Sequence, residues 1–547
     1  MNPNRFAALL LGLFFALSVR VAIANPGPAP ALVVVLVIDG LPQEQIVKYR
    51  DLYGPGGFQR LLTDGAWYGN AHHMHAVTLT APGHATMLTG SYPYRNGIIA
   101  NDWVDRTSFE QIYNTGDIEH KYIGAETKKL DGTSPARLRV TTVGDELRYS
   151  NNGQSKVIAV SGKDRGAILL AGKRGTAYMY MDQNGQFASS TYYMKEHPAW
   201  HAAFYAKKPQ DRWMGQAWTP LLPEPAYARS VPEKQSWYRP FVGGATAFPF
   251  TLPKEEKAYY AQLTRTPFGD EATLEFARAA IEGESLGKNP AGVPDLLGIS
   301  LSTHDYVNHG FGPESRVSQD HLLRVDRALA GFFEYLERRI GLDKVLITLS
   351  ADHGFMNAPE YSMGGGLAGM RINQLKLIAD LNAALQTRFG VKENLAPRFG
   401  YPAIPLDQAA IAKNFLNRAD VEAFAARFIA DFPGIAQVFT RMQLESGALP
   451  DSPLRAQVLK AWNREVSGDL YIVQQPFTMF GSLVVTHGSP YSYDTNVPLM
   501  LHGKAWIKPG KYPQAAAVAD LAPTLSYLLD LRPPSGSEGR VLEEILK

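Results

Sequence analysis

The sequence contains no cysteine among its 547 residues. This absence excludes disulfides, thiolate metal sites, iron–sulfur clusters and a cysteine nucleophile. Any metal ion in the protein must therefore be held by His, Asp or Glu. Hydrophobic residues make up 45% of the chain and aromatic residues 11%, which is enough to form a buried core and excludes a globally disordered chain.

The sequence also lacks an excess of basic charge. The full chain has 54 Lys and Arg against 52 Asp and Glu. The first 24 residues contain two arginines and no acid, so the rest of the chain has 54 − 2 = 52 basic and 52 acidic side chains and a formal charge of zero. Nucleic-acid-binding proteins carry a basic excess or a basic stripe. We therefore predict that nucleic acid is not a partner.

Long hydrophobic runs are missing except at the N-terminus. There Arg5 precedes an apolar run from Ala7 to Val19, and residues 22–24 (Ala-Ile-Ala) form a small-x-small cleavage pattern. This arrangement predicts a signal peptide over residues 1–24. A membrane anchor is the alternative, but Arg20 interrupts a run already shorter than the ~20 apolar residues that span a bilayer. We expect an exported protein, periplasmic or secreted, without stable membrane association after the leader is cleaved.

In the remaining chain, residues 25–547, continuous β-branched runs alternate with helical patterns. Four runs predict strands that are buried on both faces, at residues 31–38, 155–160, 296–301 and 345–350. Between the last two, apolar residues recur at helical spacing from Ser318 to Ile340. Strands that alternate with helices predict an α/β fold with a mostly parallel central sheet and helices on both faces.

Two stretches break this alternation. Residues 172–265 are rich in Tyr, Trp, Pro and Gln and have weak periodicity, whereas residues 359–480 contain helical patterns at 373–389 and 420–431. Active-site loops of such folds lie at one end of the sheet. We therefore interpret both stretches as insertions that cap this end of a single catalytic domain. A last helix is predicted at residues 517–529.

Side chains that can bind metal follow three of the four predicted strands and one further β-branched pair. In chain order they are Asp39, Asp305, His309, Asp352, His353 and His487. Each alone fits a turn former or a structural histidine. The carboxyl ends of parallel strands share one rim of the sheet, however, so residues at this recurring position can converge. Asp and His are the ligands that suit Zn²⁺ where thiolates are absent.

The candidate nucleophile is Thr80, in the segment Thr80-Ala-Pro-Gly-His84. We predict that Thr80 is the N-cap of a short helix, with Pro82 in its first turn and Gly90 at its end. A hydroxyl there lies where free backbone N–H groups and the helix dipole favour an anion. An ordinary threonine cap is the alternative. The predicted metal site favours the nucleophile, because a bound Zn²⁺ can ionise a weak hydroxyl.

In this order the motifs resemble the alkaline phosphatase superfamily, in particular the secreted, phosphate-irrepressible alkaline phosphatases with a threonine nucleophile. The resemblance extends from Val33 to about Leu529. Its motifs are Asp39-Gly40, Thr80-Ala-Pro-Gly-His84, Asn101-Asp-Trp103, Lys163-Asp-Arg165, Asp305-x-x-x-His309, Asp352-His-Gly354 and His487. No single motif is specific, and the ordered set carries the resemblance. It implies an alkaline-phosphatase-like fold.

The resemblance also implies two zinc ions per chain. One would be bound by Asp305, His309 and His487, and the other by Asp39, Asp352, His353 and the Thr80 oxygen. Two metals about 3.5–4 Å apart stabilise the attacking and leaving oxygens of an in-line displacement together. Thr80 would attack phosphorus, and water would then hydrolyse the phosphothreonine. The implied activity is hydrolysis of small phosphate monoesters with release of inorganic phosphate.

Lys163 and Arg165, after the second predicted strand, indicate the class of ester. In an extended loop both side chains would point the same way. Arg165 would then present a fork, and Lys163 a point charge, to one phosphoryl group. The resemblance implies that this pair and Asn101 bind the non-bridging oxygens of a monoester. A diester has one fewer anionic oxygen, so the pair favours a monoesterase; two solvated surface charges are the alternative interpretation.

Two other functions are compatible with the sequence. A phosphodiesterase or nucleotide pyrophosphatase of the same superfamily would share Thr80, Asn101 and the metal ligands. A non-catalytic exported protein that binds metal or phosphate would keep the fold without needing the Thr80 hydroxyl. A sulfatase is disfavoured because its Cys/Ser-x-Pro-x-Arg motif is absent. A relative of the cytoplasmic phosphoglycerate mutases is opposed by the leader.

The remaining histidines near these motifs are not predicted to be metal ligands. His72, His73 and His75 match no ligand position of the resembled pattern. His84 is expected to be structural, and His304 and His502 to be neighbours of the reacting groups.

Overall fold

The computed structural model describes residues 27–547, so the predicted signal peptide lies outside the described residues. The centre of the described chain is a nine-stranded sheet. Its strands are β1 (Leu32–Ile38), β2 (Ala66–Tyr68), β3 (Val157–Ser161), β4 (Thr176–Met181), β5 (Gln186–Ala188), β6 (Asp295–Leu301), β7 (Val345–Ser350), β8 (Leu499–His502) and β9 (Gly510–Tyr512). Their spatial order is β9-β2-β8-β7-β1-β6-β3-β4-β5.

This sheet is mostly parallel, as predicted. Strands β7, β1, β6, β3 and β4 are consecutive neighbours and run parallel to one another. Strand β8 is antiparallel to both β7 and β2, and β9 is parallel to β2, so β2 and β9 run in the direction of the central strands. Only β8 and the edge strand β5 run the opposite way within this sheet. The four predicted strands correspond to β1, β3, β6 and β7 and are confirmed.

Helices connect these strands and carry several site residues. They are α1 (Gln43–Lys48), α2 (Phe58–Asp64), α3 (Thr80–Thr89), α4 (Val143–Ser150), α5 (Asp164–Ala171), α6 (Pro267–Glu284), α7 (Thr303–Phe311), α8 (Arg316–Arg339) and α9 (Leu521–Leu528). Helix α8 coincides with the predicted helix from Ser318 to Ile340. Its apolar face is buried and its last turn carries Arg338 and Arg339, which favour the negative end of the helix dipole.

The sheet has helices on both faces. Gly298, Ala159 and Ala177 are paired in register across β6, β3 and β4, so they share one face. Leu170 of α5 lies over this face, because a Cβ added at Gly298 would be 3.2 Å from the Leu170 Cβ. Tyr178 follows Ala177 and points to the other face, where its ring is 5.2 Å from Phe276 of α6. The predicted fold class is therefore confirmed.

The first predicted insertion begins later than expected. Its initial residues, from position 172, include β4 and β5, which extend the central sheet. Strand β4 was not predicted, because Thr176–Met181 mixes aromatic and small residues and lacks a β-branched run. It pairs in parallel with β3 on one side and with the short strand β5 on the other. The following chain contains the helices Ala199–Tyr205 and Glu256–Leu263 and a two-stranded sheet of Ala217–Trp218 with Phe250–Thr251.

The second predicted insertion has its own small core. A three-stranded sheet is formed by Ala403–Ile404, Leu470–Gln474 and Ile435–Thr440. The helices Gln374–Phe389 and Arg418–Ala430 correspond to the two predicted here, and both contribute buried residues to the same hydrophobic cluster. Shorter helices complete the region at Pro359–Gly364, Gln408–Lys413, Arg441–Ser446 and Pro453–Ala461. Among residues 27–547, every helix is too short or too polar to cross a bilayer.

Candidate metal centre and active site

The register of the central strands brings the predicted metal ligands to one rim. Strand β1 pairs with β7 up to Val37 and Ser350, and two residues beyond this pair lie Asp39 and Asp352. Strand β1 also pairs with β6 up to Leu301, so helix α7, which carries Asp305, begins at the same level. Continuous burial of these strands fixes where each one ends, and therefore where the polar residues after it lie.

One group of possible ligands consists of Asp305, His309 and His487, whose ligand atoms lie within 4.8 Å of one another. The Asp305 Oδ1 atom is 3.3 Å from His309 Nε2 and 3.5 Å from His487 Nε2. Both imidazoles use Nδ1 for a backbone carbonyl, of Val485 and Thr78 respectively. A neutral ring that donates from Nδ1 has a lone pair on Nε2, so both rings present a metal-binding nitrogen to Asp305.

A second group consists of Asp39, Asp305 and His353. The His353 Nε2 atom is 3.5 Å from Asp39 Oδ1 and also 3.5 Å from Asp352 Oδ2. Its Nδ1 donates to the Gly354 carbonyl, so Nε2 again carries the lone pair. The geometry therefore places Asp305 in both groups of possible ligands, whereas the resemblance implies a role for it in the first site only.

Several buried polar atoms at this point have no hydrogen-bond partner among the described residues. They are Asp39 Oδ1, Asp305 Oδ1, Asp352 Oδ2 and His353 Nε2. An unpaired buried carboxylate oxygen is costly unless it binds a proton or a metal. Carboxylate oxygens and imidazole nitrogens without thiolates are a donor set that fits Zn²⁺. The residues present therefore fit the implied metal.

The three carboxylates are held in contrasting electrostatic states. Burial, reinforced by Asp352, raises the pKa of Asp39 well above its usual range. Burial also opposes ionisation of Asp305, but Lys163 and the neighbouring imidazoles hold its pKa well below the usual range. The pKa of Asp352 is likewise lowered, because His353 and His84 outweigh the effect of burial. Three acids against one lysine leave this region attractive to divalent cations.

The imidazoles of the site are ready to bind metal at neutral pH. Burial lowers the pKa of His309 to about 4, and it lowers the pKa of His353 well below the ordinary value. Since only a neutral imidazole can bind a metal, both rings are in the required state under ordinary conditions. The rings of His353 and His487 are stacked, with centroids 3.4 Å apart.

Thr80 is the first residue of α3, the helix whose Gly83 packs against Asp352. The helix begins with Thr80 as its first residue, and Leu79 is the N-cap in an extended conformation, so the predicted N-cap position is wrong by one residue. The displacement arises because Asn101, rather than the threonine, satisfies a free N–H of the first turn: its Oδ1 accepts from Ala81 N at 2.8 Å. Thr80 remains at the positive end of the helix.

The contact between α3 and the metal rim is very close. A Cβ at Gly83 would lie 2.0 Å from the Asp352 carbonyl oxygen, so only glycine permits this approach. His84, expected to be structural, bridges the two elements. Its Nδ1 is 2.9 Å from the Thr80 carbonyl and 3.2 Å from Asp352 Oδ2, and its Nε2 is 2.9 Å from Ser300 Oγ.

Lys163 points into the same site. Its Nζ is 2.5 Å from Asp305 Oδ2 and 2.8 Å from Asp39 Oδ2, and it lies 5.0 Å from the centroid of the Tyr306 ring. Burial disfavours its charge, but Asp305 and Asp39 raise the pKa of Lys163 above its ordinary value. The alternative of a solvated surface charge is therefore wrong for Lys163, which is 5% exposed.

Arg165 lies half-buried beside the site, with its side chain 20% exposed, and its backbone differs from the prediction. Lys163 has an extended backbone and Arg165 belongs to the first turn of α5, so the two are not on one extended loop. The Arg165 Nη1 atom is 3.2 Å from the Tyr113 hydroxyl, which donates to Asp164 Oδ1 at 2.5 Å. Although burial disfavours the cation, Tyr113 and Asp164 raise the pKa of Arg165 above its ordinary value.

Two supporting residues, Phe355 and Asp494, were not predicted from the sequence. The ring centroid of Phe355 lies 4.9 Å from that of His309 and 5.0 Å from that of His487, so Phe355 packs against these two candidate ligands. Asp494 Oδ2 accepts hydrogen bonds from Gly488 N and from Ser489, which shapes the loop after His487. These contacts join distant parts of the chain, and no local motif indicates them. His72, His73, His75 and His502 are absent from the possible metal-ligand groups of the described chain.

The chain belongs to the type I phosphodiesterase / nucleotide pyrophosphatase family, whose pattern matches residues 33–476. This family is part of the alkaline phosphatase superfamily, which confirms the resemblance. The chain is 34% identical over 522 residues to alkaline phosphatase PafA of Elizabethkingia meningoseptica, with 94% of each chain covered. It is 35% identical over 523 residues to alkaline phosphatase PhoV of Synechococcus elongatus, covering 94% of this chain and 93% of the relative.

A solved structure shows the same architecture. It is a crystal structure of an alkaline phosphatase PafA variant in which a threonine, an asparagine, a lysine and an arginine are substituted. The TM-score is 0.90 at 32% sequence identity, and the match covers 95% of this chain and 99% of the other. The correspondence therefore includes both the central sheet and the regions predicted as insertions.

Proposed function

We propose that this chain is an exported, zinc-dependent phosphate monoester hydrolase of the alkaline phosphatase type, acting through a phosphothreonine. The observation that carries the proposal is the buried convergence of Asp39, Asp305 and Asp352 with neutral imidazoles beside the N-terminus of α3. The similarity to alkaline phosphatases over 94% of the chain supports the reaction class.

The metal ligands would be shared between two zinc ions. Asp305, His309 and His487 would hold one, and Asp39, Asp352, His353 and the Thr80 oxygen would hold the other, with Asp305 close to both. When bound, the ions would supply positive charge that favours an ionised hydroxyl and stabilises a leaving oxygen. The fixed Nδ1–H bonds of the histidines keep their Nε2 atoms directed into the site.

The chain's own groups would then divide the work of phosphoryl transfer. The Thr80 hydroxyl loses its proton and its Oγ1 atom attacks phosphorus; the bond from phosphorus to the leaving oxygen breaks, and the leaving alcohol takes up a proton from water. The N-terminus of α3 and the Asn101 amide face the phosphoryl oxygens. Because Asn101 Oδ1 accepts a hydrogen bond from Ala81 N, the N–H₂ group of Asn101 can donate to the phosphoryl group. Water then displaces Thr80 from phosphorus, which regenerates the hydroxyl and releases inorganic phosphate.

Lys163 and Arg165 support a monoester as the substrate. Lys163 is buried and Arg165 half-buried beside the candidate metal ligands, where a dianionic phosphoryl group gains more from the two cations than a monoanionic diester does. In the PafA variant described above, the substituted Thr, Asn, Lys and Arg are separated by 21, 62 and 2 positions. Thr80, Asn101, Lys163 and Arg165 have these same separations, which supports equivalent positions in the two chains.

A phosphodiesterase remains the second candidate, because the matching family is described by that activity. The test is metal analysis of the purified protein together with kinetics on nitrophenyl phosphate and bis-nitrophenyl phosphate. We expect about two zinc ions per chain and a kcat/KM that is at least tenfold higher for the monoester. A higher kcat/KM for the diester would assign the chain to the second candidate, and zinc binding without turnover would indicate a binding protein.

The cellular location is part of the proposal. A leader ending at Ala24 would place the enzyme in the periplasm or outside the cell, where it would act on small phosphate monoesters. The N-terminal sequence of protein recovered from the periplasm or medium should begin at Asn25. Recovery of the intact N-terminus in the cytoplasm would contradict this assignment.

A further inference from the structure

A chain of buried polar side chains lies behind the proposed metal centre and is not used in the reaction. It connects α6, α8, α7 and α1 through the residues Asp270, His321, His304, Gln45, Ser318 and Asn308. All six are at most 3% exposed. Burying a polar group costs free energy unless the group is hydrogen-bonded. The hydrogen bonds among these six side chains therefore indicate how each side chain is oriented.

The orientation of the Gln45 amide is fixed by its neighbours. Its Nε2 atom is 2.8 Å from the Pro313 carbonyl and 2.7 Å from Ser318 Oγ. A carbonyl only accepts, so the N–H₂ group must face this side and Oε1 must face the other. The Oε1 atom is 2.7 Å from His304 Nε2, which must therefore carry a proton.

The polar network continues from His304 towards α6. His304 Nδ1 is 3.0 Å from His321 Nδ1, and one of these two nitrogens donates to the other. His321 Nε2 lies 3.1 Å from Asp270 Oδ2, a close contact of an imidazole with a carboxylate that does not have hydrogen-bond geometry. The network therefore extends from α7 through α8 to α6.

At its other end this network of side chains contacts the turn after Asp39, which also meets Asp352. Ser318 Oγ donates to Asn308 Oδ1 at 2.6 Å, and Asn308 Nδ2 donates to the Gly40 carbonyl at 3.0 Å. The Gly40 N–H donates to Asp352 Oδ1 at 3.0 Å. Gly40 follows Asp39, has φ of +72°, and would bring a Cβ within 3.2 Å of Asp305 Cα. The turn is thus held from both sides.

We infer that this buried chain, centred on Gln45, is a positioning network that joins the Asp39 turn to the helix carrying Asp305 and His309, and so sets the separation of the two metal sites. Gln45 belongs to α1, which follows Asp39, and its partners belong to α7 and α8 or the segment between them. The inference rests on the proposed two-zinc function. Groups that orient metal ligands commonly change metal affinity or activity by 10- to 100-fold when they are removed.

The first test compares two glutamines on one helix. Gln45→Met removes the hydrogen bonds at nearly constant volume. Gln43→Met is the matched control, because Gln43 is 4% exposed and its side chain has no hydrogen-bond partner among residues 27–547. We expect zinc release from the Gln45→Met protein to a chromogenic chelator to be roughly tenfold faster or more, with a similar loss in kcat/KM. The control should stay within about twofold of wild type in both measurements.

A second comparison tests the Asp270 end of the network. Asp270→Asn keeps a polar side chain beside His321, and its Oδ1 can still accept from Thr303 N, as Asp270 Oδ1 does at 3.3 Å. Asp270→Leu has similar size and removes both contacts. We expect the Asp270→Leu protein to release zinc faster than the Asp270→Asn protein.

The outcomes separate the network from the proposed function. Wild-type protein that binds no zinc would overturn the proposed function itself. Normal zinc release from the Gln45→Met protein, or equal losses in Gln43→Met, would overturn the positioning role while leaving the function intact. Equal zinc release from Asp270→Asn and Asp270→Leu would show that the Asp270 end does not contribute to the positioning of the metal ligands. If Gln45→Met does not fold, Ser318→Ala interrupts the same link with the loss of one oxygen, and the same fast zinc release is expected.

Discussion

At the scale of single residues, the site combines an excess of buried carboxylates with one lysine that touches two of them. Lys163 Nζ is within 2.8 Å of both Asp39 and Asp305 oxygens. A cation in this position both neutralises the acids and reaches the place where a phosphoryl oxygen would bind. Lysine is a compact point charge, whereas the neighbouring Arg165 presents a planar fork, so the two cations serve different oxygens.

The first prediction concerns the Thr80 hydroxyl. Thr80→Ala should lower phosphatase kcat by roughly 10³-fold or more, because it removes the group that forms the covalent intermediate. Zinc content should remain near two per chain, since carboxylates and imidazoles supply the other ligands. Zinc analysis and kinetics on the same preparation check both. Wild-type activity in this variant is incompatible with a threonine nucleophile, and Thr80→Ser should retain activity because it keeps a hydroxyl.

The second prediction concerns the class of ester. Arg165→Ala should lower kcat/KM for a monoester by about 10²-fold, because it removes a charged donor from the phosphoryl group, and should affect a diester much less. Arg165→Lys keeps the charge but loses the fork, so its loss should be intermediate. Parallel assays with nitrophenyl mono- and diesters measure this difference. Equal losses on the two substrates would contradict the assigned role of Arg165.

The third prediction concerns the pH dependence of stability. Burial raises the pKa of Glu314 to about 7 from an ordinary value of 4.5. A folded-state pKa above the unfolded value means that stability is full below pH 4.5 and falls as pH rises towards 7. At about 1.4 kcal/mol per pKa unit, the loss is of the order of 3 kcal/mol above pH 7.

Glu314→Gln removes this ionisation and tests its cost. The Oε1 atom accepts from Ala358 N at 3.2 Å, a bond that the Gln oxygen can keep, and Oε2 has no partner among the described residues. The variant should have a higher Tm than wild type at pH 8 and a nearly equal Tm at pH 5. A difference that is the same at both pH values would show that ionisation of Glu314 is not its cause.

The predicted ligands were recognisable because each follows a buried strand or a β-branched pair. The same logic could not find Gln45 or Asp494, or the partners of His84, because these contacts join distant parts of the chain. His84 meets Asp352 only because α3 packs against the end of β7. Local sequence therefore indicates which atoms could bind metal, whereas the groups that orient them require the tertiary structure.

At the scale of elements, the position of Thr80 depends on a close contact between Gly83 of helix α3 and the backbone of Asp352. Gly83 lies against the Asp352 backbone, and a Cβ there would be 2.0 Å from the carbonyl oxygen. Gly83→Ala must push α3 away from the rim, because neither backbone can yield as a flexible side chain would. We expect a loss of stability of about 2 kcal/mol or more and a fall in kcat, since Thr80 moves with the helix.

The control for this substitution is Gly364→Ala. Gly364 ends the short helix Pro359–Gly364, and a Cβ at this position would meet nothing within 4 Å. Its stability should change by less than about 1 kcal/mol, with unchanged kcat. Thermal unfolding and initial rates compare the two variants. Wild-type kcat in the Gly83→Ala protein would contradict the inferred coupling of the helix to the reacting centre.

The elements differed in how well the sequence predicted them. Strands β1, β6 and β7 are continuous β-branched or aliphatic runs with every residue buried, so they were found with their ends nearly correct. Strand β4 was missed because tyrosine and methionine replace the β-branched residues and burial is incomplete. Helix α3 was displaced by one residue, because a side chain from another segment, Asn101, replaces the predicted threonine cap.

At the scale of the whole molecule, metal binding and folding are linked through the buried acids. Without a cation, burial and Asp352 raise the pKa of Asp39, which means that its charged form destabilises the fold. Bound zinc would reverse this effect, because the unfolded chain has no preformed site and the ion would therefore bind only the folded state. Saturation at 100 times Kd adds about 2.7 kcal/mol per site.

The last prediction follows from this linkage. A chelator should lower the Tm of the wild-type protein by several degrees, and added zinc should restore it. Asp39→Asn removes both a ligand and an unfavourable buried charge, so its two effects have opposite signs. In the presence of chelator at pH 8 the variant should melt above wild type, whereas with saturating zinc it should melt below it. Differential scanning calorimetry of both proteins under both conditions gives the four values required. A variant that melts below wild type in both conditions would show that Asp39 stabilises the metal-free fold. Burial of its carboxylate near Asp352 would then not destabilise the protein.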